Sequence, residues 1–574
     1  MKILLVHPHD SVEAGTWADT RWDLVVDLGW SGREAYSRQS ERLGFRVFSI
    51  YDFLDHAQHR DRLREILALG LDQLVDAESV DWWETFSVYP YHQLEKLLLL
   101  SALAEQIPAD AEIFATRRHF AIRALSLLLN REIKSFSVEH KSHFKERAQR
   151  YVTAAFALRP SQMIEIAFDK WDTDYRFRRH FARSAKQSQT PAVLLPSAYA
   201  NVSRAQIAYA RMLPHRRFLL VITRRNGSIQ ELPANVELRS LASYASPVLP
   251  ATEKECAGLL ARWQDLQNNV FEINPVLRLA RKLHVFDDFA NFLRRGLHVR
   301  DAWREVFARE PITTMLSADE NNPYTRLPIV LAASRKLRTV SCDHGALNMT
   351  LGIRRLCSEA YLVKGNMARD YSIGWCGLSP DKIVVGGPRE AQPLSVSNQA
   401  QRDWIVFYSE AYELSSGRTQ AFYAELLPEL CRLASLTKRK IIVKLHPFES
   451  RRVRKLFVDR VLSAEQRSLV KLRVGPMTRD LFERAWCSLT VESSVAVEST
   501  LNGVPCFLCG WFDASWYDYG KQYAKFSAGY TLDSPQRVRE IPKLIAQFRI
   551  TEATRQNLQT EITPEHLESV LSGT

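Results

Sequence analysis

The chain has 574 residues, of which 46% are hydrophobic and 25% charged, and its formal net charge is +12 at pH 7. A single hydrophobic core stops growing near ~250–300 residues, so the length predicts two domains, or two domains with an insertion. The ordinary composition excludes a disordered chain, a collagen-like repeat and a disulfide scaffold. The sequence contains no run of ~18 apolar residues, and the run Ile3–Val6 is too short for a signal peptide, so we expect a cytoplasmic protein.

The 77 Lys and Arg residues exceed the 65 Asp and Glu residues, which favours anionic partners. The charge is spread along the chain without a long basic block, so we do not expect sequence-specific binding of nucleic acid. The eight cysteines are scattered, and the close pair Cys506 and Cys509 lacks a second pair of ligands nearby. We therefore expect reduced thiols and no zinc site.

The first elements in chain order alternate between strand and helix. Strands are predicted at 2–6 and 23–27, a helix follows at 34–42 after a glycine turn, and a strand at 46–50 comes next. This alternation is typical of a parallel sheet with helical crossovers. Between about 140 and 310 the pattern gives way to long amphipathic helices mixed with a predicted strand at 217–222, and the helices predict a helical insertion.

After residue 310 the alternation returns, with strands predicted at 313–318 and 338–342. The polar, turn-rich stretch 390–402 is the predicted domain boundary. Four strand–helix repeats with short connections follow it, and they predict a doubly wound α/β domain. The predicted strands of this last third are 404–408, 440–445, 471–474, 487–491 and 504–508.

Polar residues follow several of these strands at the ends where ligands bind in open parallel sheets. Hydroxyl, imidazole and backbone N–H groups there can hold a phosphate, and a carboxylate one helical turn further can accept from ribose hydroxyls. A simpler alternative is that Ser493 caps a helix, that the His-Pro pair is an ordinary loop and that Glu498 is solvated. The predicted nucleotide-binding residues are Ser409, Glu410, Lys444, His446, Pro447, Glu492, Ser493, Ser494 and Glu498.

The first half of the chain supplies the candidate catalytic residues. Asp319 and Glu320 follow a predicted strand, and His344 follows the next one. A carboxylate in this place can deprotonate an acceptor hydroxyl or attack an anomeric carbon, and the histidine can orient it. Alternatively, Asp319 caps the following helix and His344 lies in a tight turn. The glycine turn after the second strand predicts acceptor binding by Gly29, Ser31 and Gly32.

Two segments of the last third resemble known enzymes. The run 493–498, Ser-Ser-Val-Ala-Val-Glu, with Gly503-Val-Pro505, resembles the Ser…Glu…Gly-x-Pro segment of the nucleotide-binding domain in GT-B glycosyltransferases. His446-Pro447 followed by Ser493-Ser494 is similar to motifs of bacterial sialyl- and polysialyltransferases, capsule and lipopolysaccharide Kdo transferases, and teichoic-acid CDP-glycerol polymerases. The resemblance implies a cytidine nucleotide donor whose cytidine or phosphate is contacted by His446, Ser493 and Ser494.

In the sialyltransferases an acidic pair is followed by glycine, whereas here Asp319 and Glu320 are followed by Asn321. Asp343-His344-Gly345 is similar to a Gln-His-Gly element of capsule-assembly enzymes, with Asp in place of Gln. These differences leave open which carboxylate acts. They also leave open retention or inversion, because a nucleophilic and a basic carboxylate give different outcomes.

The resemblance implies two Rossmann-like domains of the GT-B type facing a central cleft. Residues 1–390, with the helical insertion at about 140–310, would bind the acceptor, 400–545 would bind the donor, and 546–574 would form a helical tail. A helix near 536–548 would cross back to the first domain.

The implied reaction moves an acidic sugar, Kdo or a nonulosonic acid, from a CMP-activated donor to a bacterial surface glycan or glycolipid. No metal or other cofactor is expected, and the positive charge fits peripheral contact with the inner membrane. The alternatives are a CDP-polyol phosphotransferase of the teichoic-acid type, a UDP-sugar 2-epimerase, and a non-enzymatic basic scaffold on an acidic membrane.

Overall fold

The computed structural model describes residues 1–7, 20–28, 46–136, 189–388 and 402–573, with short gaps at 54, 225–226, 230, 246–248, 411–418, 447–448 and 513–516. The described residues form three sheets in which all paired strands are parallel, so the predicted α/β class is confirmed. The predicted helix at 34–42 lies outside the described residues.

The N-terminal sheet has five strands in the order β3-β2-β1-β4-β5. Its central strand is buried, with Ile3, Leu4, Leu5 and Val6 all fully shielded from solvent, as expected for a parallel sheet covered on both faces. Three of these strands match the predicted positions to within one residue. The strands are β1 (Lys2–Val6), β2 (Leu24–Asp27), β3 (Arg46–Ser49), β4 (Glu112–Ala115) and β5 (Lys134–Ser135).

The middle sheet has seven strands in the order β12-β11-β10-β9-β6-β7-β8. Three of its strands lie between 192 and 240, inside the predicted helical insertion, and one of them, at 218–222, matches the strand predicted at 217–222. The long helices Pro250–Leu266 and Phe289–Arg309 separate these strands from the rest of the sheet in sequence, which obscured the alternation. The strands are β6 (Ala192–Ser197), β7 (Phe218–Ile222), β8 (Val236–Ser240), β9 (Ile312–Ser317), β10 (Arg338–Cys342), β11 (Ala360–Val363) and β12 (Ile383–Val385).

The C-terminal sheet has six strands in the order β15-β14-β13-β16-β17-β18. Its core forms where the apolar side of helix Thr419–Thr437, including Phe422 and Leu426, packs on Phe407 and Val443 of the central strands. The strands are β13 (Trp404–Tyr408), β14 (Lys440–Lys444), β15 (Val470–Arg473), β16 (Ala485–Thr490), β17 (Cys506–Cys509) and β18 (Tyr530–Leu532).

The helices of the described residues connect these strands. Short 3-10 or π turns occur at Ile50–Phe53, Leu241–Tyr244, Gln267–Phe271, Met349–Gly352, Pro380–Lys382 and Pro535–Glu540. The α-helices are His56–Ala68, Trp82–Phe86, Tyr91–Gln106, Phe120–Leu129, Ala200–Ala210, Pro250–Leu266, Pro275–Lys282, Phe289–Arg309, Pro323–Ser334, Asn366–Gly374, Thr419–Thr437, Arg451–Val461, Ala464–Ser468, Asp480–Glu483, Val495–Leu501, Tyr519–Lys525, Ile541–Gln547, Glu552–Leu558 and Pro564–Ser572.

The chain divides into two compact units, each built from three segments that alternate along the sequence. One unit comprises Met1–His56, Leu97–Gln162 and Gln392–Arg555, and the other comprises Ala57–Lys96, Met163–Ala391 and Gln556–Thr574.

The end of the chain returns to the seven-stranded sheet. The buried carboxyl-terminal turn of helix Pro564–Ser572 accepts hydrogen bonds at Leu571 O from the Thr314 hydroxyl and at Val570 O from Arg338. Residues of the predicted crossing segment 536–548, such as Val538 and Ile541, belong instead to the core of the six-stranded sheet. The returning helix is therefore the last one, because its leucines complete the core of the middle sheet.

Candidate functional site

Each sheet has the strand order of a Rossmann fold. Numbered in chain order within the six-stranded sheet, the strands run 3-2-1-4-5-6, and the order reverses between β13 and β16. Ligands of open α/β sheets bind outside the carboxyl ends of the strands at such a reversal. Ser409 and Glu410 follow β13 directly, and the turn 492–494 begins two residues after β16. The predicted nucleotide residues therefore lie at the expected edge of this sheet, apart from Pro447, which is outside the described residues.

Glu410 joins the ends of β13 and β16. Its Oε1 accepts hydrogen bonds from three successive backbone N–H groups, those of Val491, Glu492 and Ser493, at 3.0–3.2 Å, and from the Thr490 hydroxyl at 2.9 Å. Burial raises the pKa of Glu410, although these donors oppose the shift. These bonds engage one oxygen of the Glu410 carboxylate. They hold in place the turn 492–494, which we call the serine turn.

The serine turn leads into the helix Val495–Leu501. The Ser493 hydroxyl accepts from Val495 N at 3.4 Å, whereas the Ser494 side chain makes no capping bond to the helix. Glu492 Oε1 accepts from the Tyr517 hydroxyl at 2.7 Å. Glu498 lies close enough to Tyr408 to contribute to the raised pKa of that phenol, whose main cause is burial. Ser494 therefore presents the hydroxyl that is least engaged by the turn itself.

Glu449, which the sequence interpretation missed, organises the end of β14. Its Oε1 accepts from the Ser409 hydroxyl at 2.7 Å and from Arg454 Nε at 2.6 Å, and its Oε2 accepts from His446 N at 2.7 Å. The ion pair with Arg454 is almost wholly buried on both sides. The only indication of this role in the sequence is that Glu449 stands three residues after His446. In the structure the two residues form a turn in which Glu449 N donates to His446 O.

His446 and Lys444 lie in a partly buried, positively charged environment. Burial, followed by the charge of Lys444, lowers the pKa of His446. Lys444 donates from Nζ to Leu445 O at 2.9 Å, and burial is the main cause of its lowered pKa. Because β14 and β16 flank β13, the strand ends carrying His446 and Ser493 are separated by two strand spacings, about 10 Å. This span suits a nucleoside phosphate.

The lowered pKa of His446 predicts how nucleotide affinity depends on pH. With its pKa lowered, the free ring is largely neutral at pH 7, so a phosphate that pairs with the charged imidazolium takes up a proton on binding. If this site holds the phosphate of CMP, the affinity for CMP should rise as pH falls from 8 to 6, by at most about 10-fold per pH unit. Calorimetric titration of wild type and His446→Gln checks this result. An equal pH dependence in both would reflect titration of CMP alone and contradict the contact.

The edge of the seven-stranded sheet holds the candidate catalytic residues. Asp319 and Glu320 follow β9, and His344 follows the neighbouring β10. The exposed His344 ring hydrogen-bonds through Nδ1 to Ala318 O at 2.8 Å. A carbonyl can only accept, so Nδ1 carries the proton and the neutral ring has its lone pair on Nε2. This arrangement fits a general base.

Asp319 and Glu320, the acidic pair after β9, make different contacts. Asp319 Oδ1 accepts from Asn321 N and Asn322 N at 2.9 and 3.1 Å, while Asn322 provides the helix cap. Glu320 is buried, and both of its oxygens accept from the protein: Oε1 from Ser341 and Ser358, Oε2 from Cys357 N at 2.9 Å. These contacts fit a structural role for Glu320. In the part of the chain that the structure describes, Asp319 Oδ2 accepts no hydrogen bond.

A buried charge network supports this loop. Arg326 binds Glu84 at 2.7 Å and approaches Glu320 Oε2 at 3.7 Å, and Arg354 donates to both Glu84 O and Asn321 O. Glu84 belongs to the short helix Trp82–Phe86. No sequence signal indicates this role, because Glu84 and Arg355, which also contact each other, are 271 residues apart.

Two further predictions concern the acceptor and metal ions. The predicted acceptor residues Gly29, Ser31 and Gly32 lie outside the described residues. Among the residues that are described, no group of three or more His, Cys, Asp or Glu side chains is arranged to hold a metal ion. The helices in this same part of the chain lack the combination of length and hydropathy that crossing a membrane requires.

No protein-family model matches the chain, and the search of curated proteins gave no match. Among solved structures, the UDP-GlcNAc 2-epimerase from Methanocaldococcus jannaschii is 11% identical with a TM-score of 0.43, covering 67% of this chain and 100% of its own. A glycosyltransferase from Rickettsia africae ESF-5 is 8% identical with a TM-score of 0.37, covering 67% and 95%. The calicheamicin glycosyltransferase CalG4 is 12% identical with a TM-score of 0.36 and the same coverage. At these TM-scores the similarities assign no activity to this chain.

Proposed function

We propose that this chain is a metal-independent GT-B glycosyltransferase that moves an acidic sugar, Kdo or a nonulosonic acid, from a CMP-activated donor to a bacterial surface glycan. The observation that carries the proposal is the reversal point of the six-stranded sheet. Ser409, Glu410 and the 492–494 turn lie there, with His446 on the next strand end. A Rossmann-order sheet with hydroxyls and an imidazole at this edge suits a nucleotide with a departing phosphate.

In this proposal the donor is held by side chains that other residues position. Ser493, Ser494 and His446 contact the phosphate or cytidine, while Glu410 and Glu449 fix the loops that carry them. Hydrogen bonds to the phosphate oxygens stabilise the negative charge that develops as CMP leaves.

The acceptor is activated at the seven-stranded sheet. His344 Nε2 takes the proton of the acceptor hydroxyl, and that oxygen bonds to the anomeric carbon. The bond from this carbon to the CMP phosphate oxygen breaks, and its electron pair leaves with CMP. Of the two carboxylates that follow β9, we assign Asp319 to the reaction. Glu320 is engaged by Ser341, Ser358 and Cys357.

A thermal-shift screen with CMP, CDP, UDP and GDP tests the donor class in the presence of a chelator. A ligand that binds only the native state stabilises it, by about 2.7 kcal/mol at 100 times its Kd. We expect CMP to raise the melting temperature most. The increase should disappear in His446→Ala and persist in His566→Ala, a change of an exposed histidine on helix Pro564–Ser572.

The other outcomes identify the alternatives. Selective stabilisation by UDP, with activity on a UDP-HexNAc alone, would indicate the 2-epimerase. Transfer of glycerol phosphate from CDP-glycerol would indicate the polyol phosphotransferase. If none of the four nucleotides stabilises the protein, the proposed function is wrong.

A further inference from the structure

The edge of the six-stranded sheet opposite to the candidate nucleotide site is rich in cations. We name it the basic edge and define it by Arg402, Lys438, Arg439, Lys440 and Arg484. These residues stand at the amino ends of the neighbouring strands β13, β14 and β16. Backbone hydrogen bonds of 3.0 Å hold the three ends together, from Lys440 N to Asp403 O and from Trp404 N to Arg484 O. The cations therefore stand close together along this edge of the sheet.

The positive charge of the basic edge is compensated in part, because Asp403 attracts both Arg439 and Arg484, and Asp480 attracts Arg484. Arg484 pairs with Asp403. Within the described ranges no carboxylate lies within 4.0 Å of a charged nitrogen of Arg402, Lys438, Arg439 or Lys440. Lys438 and Lys440 are exposed, whereas Arg439 is half-buried and Arg402 is buried. The basic edge thus offers two exposed lysines next to one half-buried and one buried guanidinium group.

An apolar side chain projects beside these lysines. Leu436, in the last turn of helix Thr419–Thr437, is 72% exposed and stands two residues before Lys438. Exposure of a leucine by itself needs no explanation. A leucine among clustered cations is the combination that lets a surface segment enter the headgroup region of a bilayer while lysines contact anionic headgroups.

The aromatic side chains at this edge disfavour nucleic acid as the partner. Arg439 lies over the Trp486 ring, 4.1 Å from its centroid, and Arg484 lies over the Trp404 ring at 4.0 Å. Single-stranded nucleic acids bind by stacking bases on open aromatic faces. Here guanidinium groups cover those faces, and Trp404 is 8% exposed.

We propose that the basic edge docks the protein on an anionic lipid bilayer, with Lys438 and Lys440 contacting the headgroups and Leu436 entering the headgroup layer. This inference does not depend on the proposed reaction. Each lysine near an anionic surface strengthens binding about 5-fold, so removing two of them weakens it on the order of 30-fold. The attraction is screened by salt, since the Debye length is about 8 Å at physiological ionic strength.

Vesicle sedimentation of the full chain tests the proposal, with vesicles of phosphatidylcholine alone or of phosphatidylcholine with one-third phosphatidylglycerol. We expect binding to the anionic vesicles and a loss on the order of 30-fold in Lys438→Asn/Lys440→Gln. Asn suits position 438, where φ is +54°. Leu436→Ser should lower the binding that remains at high salt.

The matched control removes two other exposed cations of the same sheet, Arg451 and Arg452, at the opposite edge. Arg451→Gln/Arg452→Gln should bind the anionic vesicles as wild type does. Equal loss in both double variants would show unspecific charge attraction and overturn the proposal. Equal binding to both vesicle types would overturn it as well. The proposal would also be overturned if the protein bound polyglutamate as tightly as the anionic vesicles and Leu436→Ser left that binding unchanged. The partner would then be an acidic polypeptide. Unchanged melting temperatures establish that the variants are folded.

Discussion

Replacing His344 by Asn is expected to lower the rate of sugar transfer by about 10²–10⁴-fold, the usual contribution of a general base. The Asn amide can keep the hydrogen bond to Ala318 O that Nδ1 makes at 2.8 Å, but it has no basic nitrogen in place of Nε2. The loss should therefore fall on kcat, with CMP binding and the melting temperature unchanged. Release of CMP from the CMP-sugar in the presence of acceptor measures the rate.

The exposed His566 offers a control of the same chemistry. His566→Asn should keep full activity, because this exposed ring lies on helix Pro564–Ser572 and not on the loops after β9 and β10 that carry Asp319 and His344. Activity of His344→Asn within threefold of wild type would contradict the role of the ring as base. It would direct attention to Asp319, whose Oδ2 receives no hydrogen bond from the described residues.

Replacing Glu449 by Gln is expected to cost roughly 3–5 kcal/mol of the free energy of unfolding, as when one partner of a buried ion pair is removed. Arg454 is buried against the rings of Tyr423 and Phe457, and it loses its carboxylate partner in the variant. Urea denaturation followed by circular dichroism measures the loss. Stabilisation by CMP should decrease too, because Glu449 also accepts from Ser409 and His446 N.

Glu465→Gln is the matched control for this substitution. Glu465 is exposed in the short helix Ala464–Ser468, just before β15 of the six-stranded sheet. Its replacement should change the free energy of unfolding by less than about 0.5 kcal/mol. A change of similar size in both variants would mean that the buried pair adds no specific stability. Full CMP stabilisation in Glu449→Gln would show that the positions of Ser409 and His446 do not depend on this carboxylate.

Local patterns in the sequence predicted the C-terminal sheet well. Apolar runs bounded by polar turns located β13 and β14 almost to the residue, because both strands are buried. Their order in the sheet follows from the pairing of strands distant in sequence, and no local pattern records it. The polar residues after these strands were identifiable for the same reason, since a strand that ends at the sheet edge leaves the next residues of the chain open to ligands.

The middle of the chain shows where local patterns fail. β8 carries a mixture of apolar and charged residues, Val236-Glu-Leu-Arg-Ser240, and most of it is half-buried at the edge of its sheet. Edge strands are partly solvated, so they lack the continuous apolar run of a central parallel strand. Two long helices then separate β8 from β9, and the three strands at 192–240 could not be joined to the later ones by spacing alone.

The sequence by itself determined the α/β class, the buried strands and the polar residues at their carboxyl ends, because burial periodicity and turn chemistry act over a few residues. The tertiary structure decided which of those residues are engaged by the protein. Glu320 is held by Ser341 and Ser358, and Glu84 reaches the same loop through Arg326. A carboxylate and its partners are brought together by folding across long stretches of chain, so residue type and spacing cannot distinguish a structural carboxylate from a reactive one.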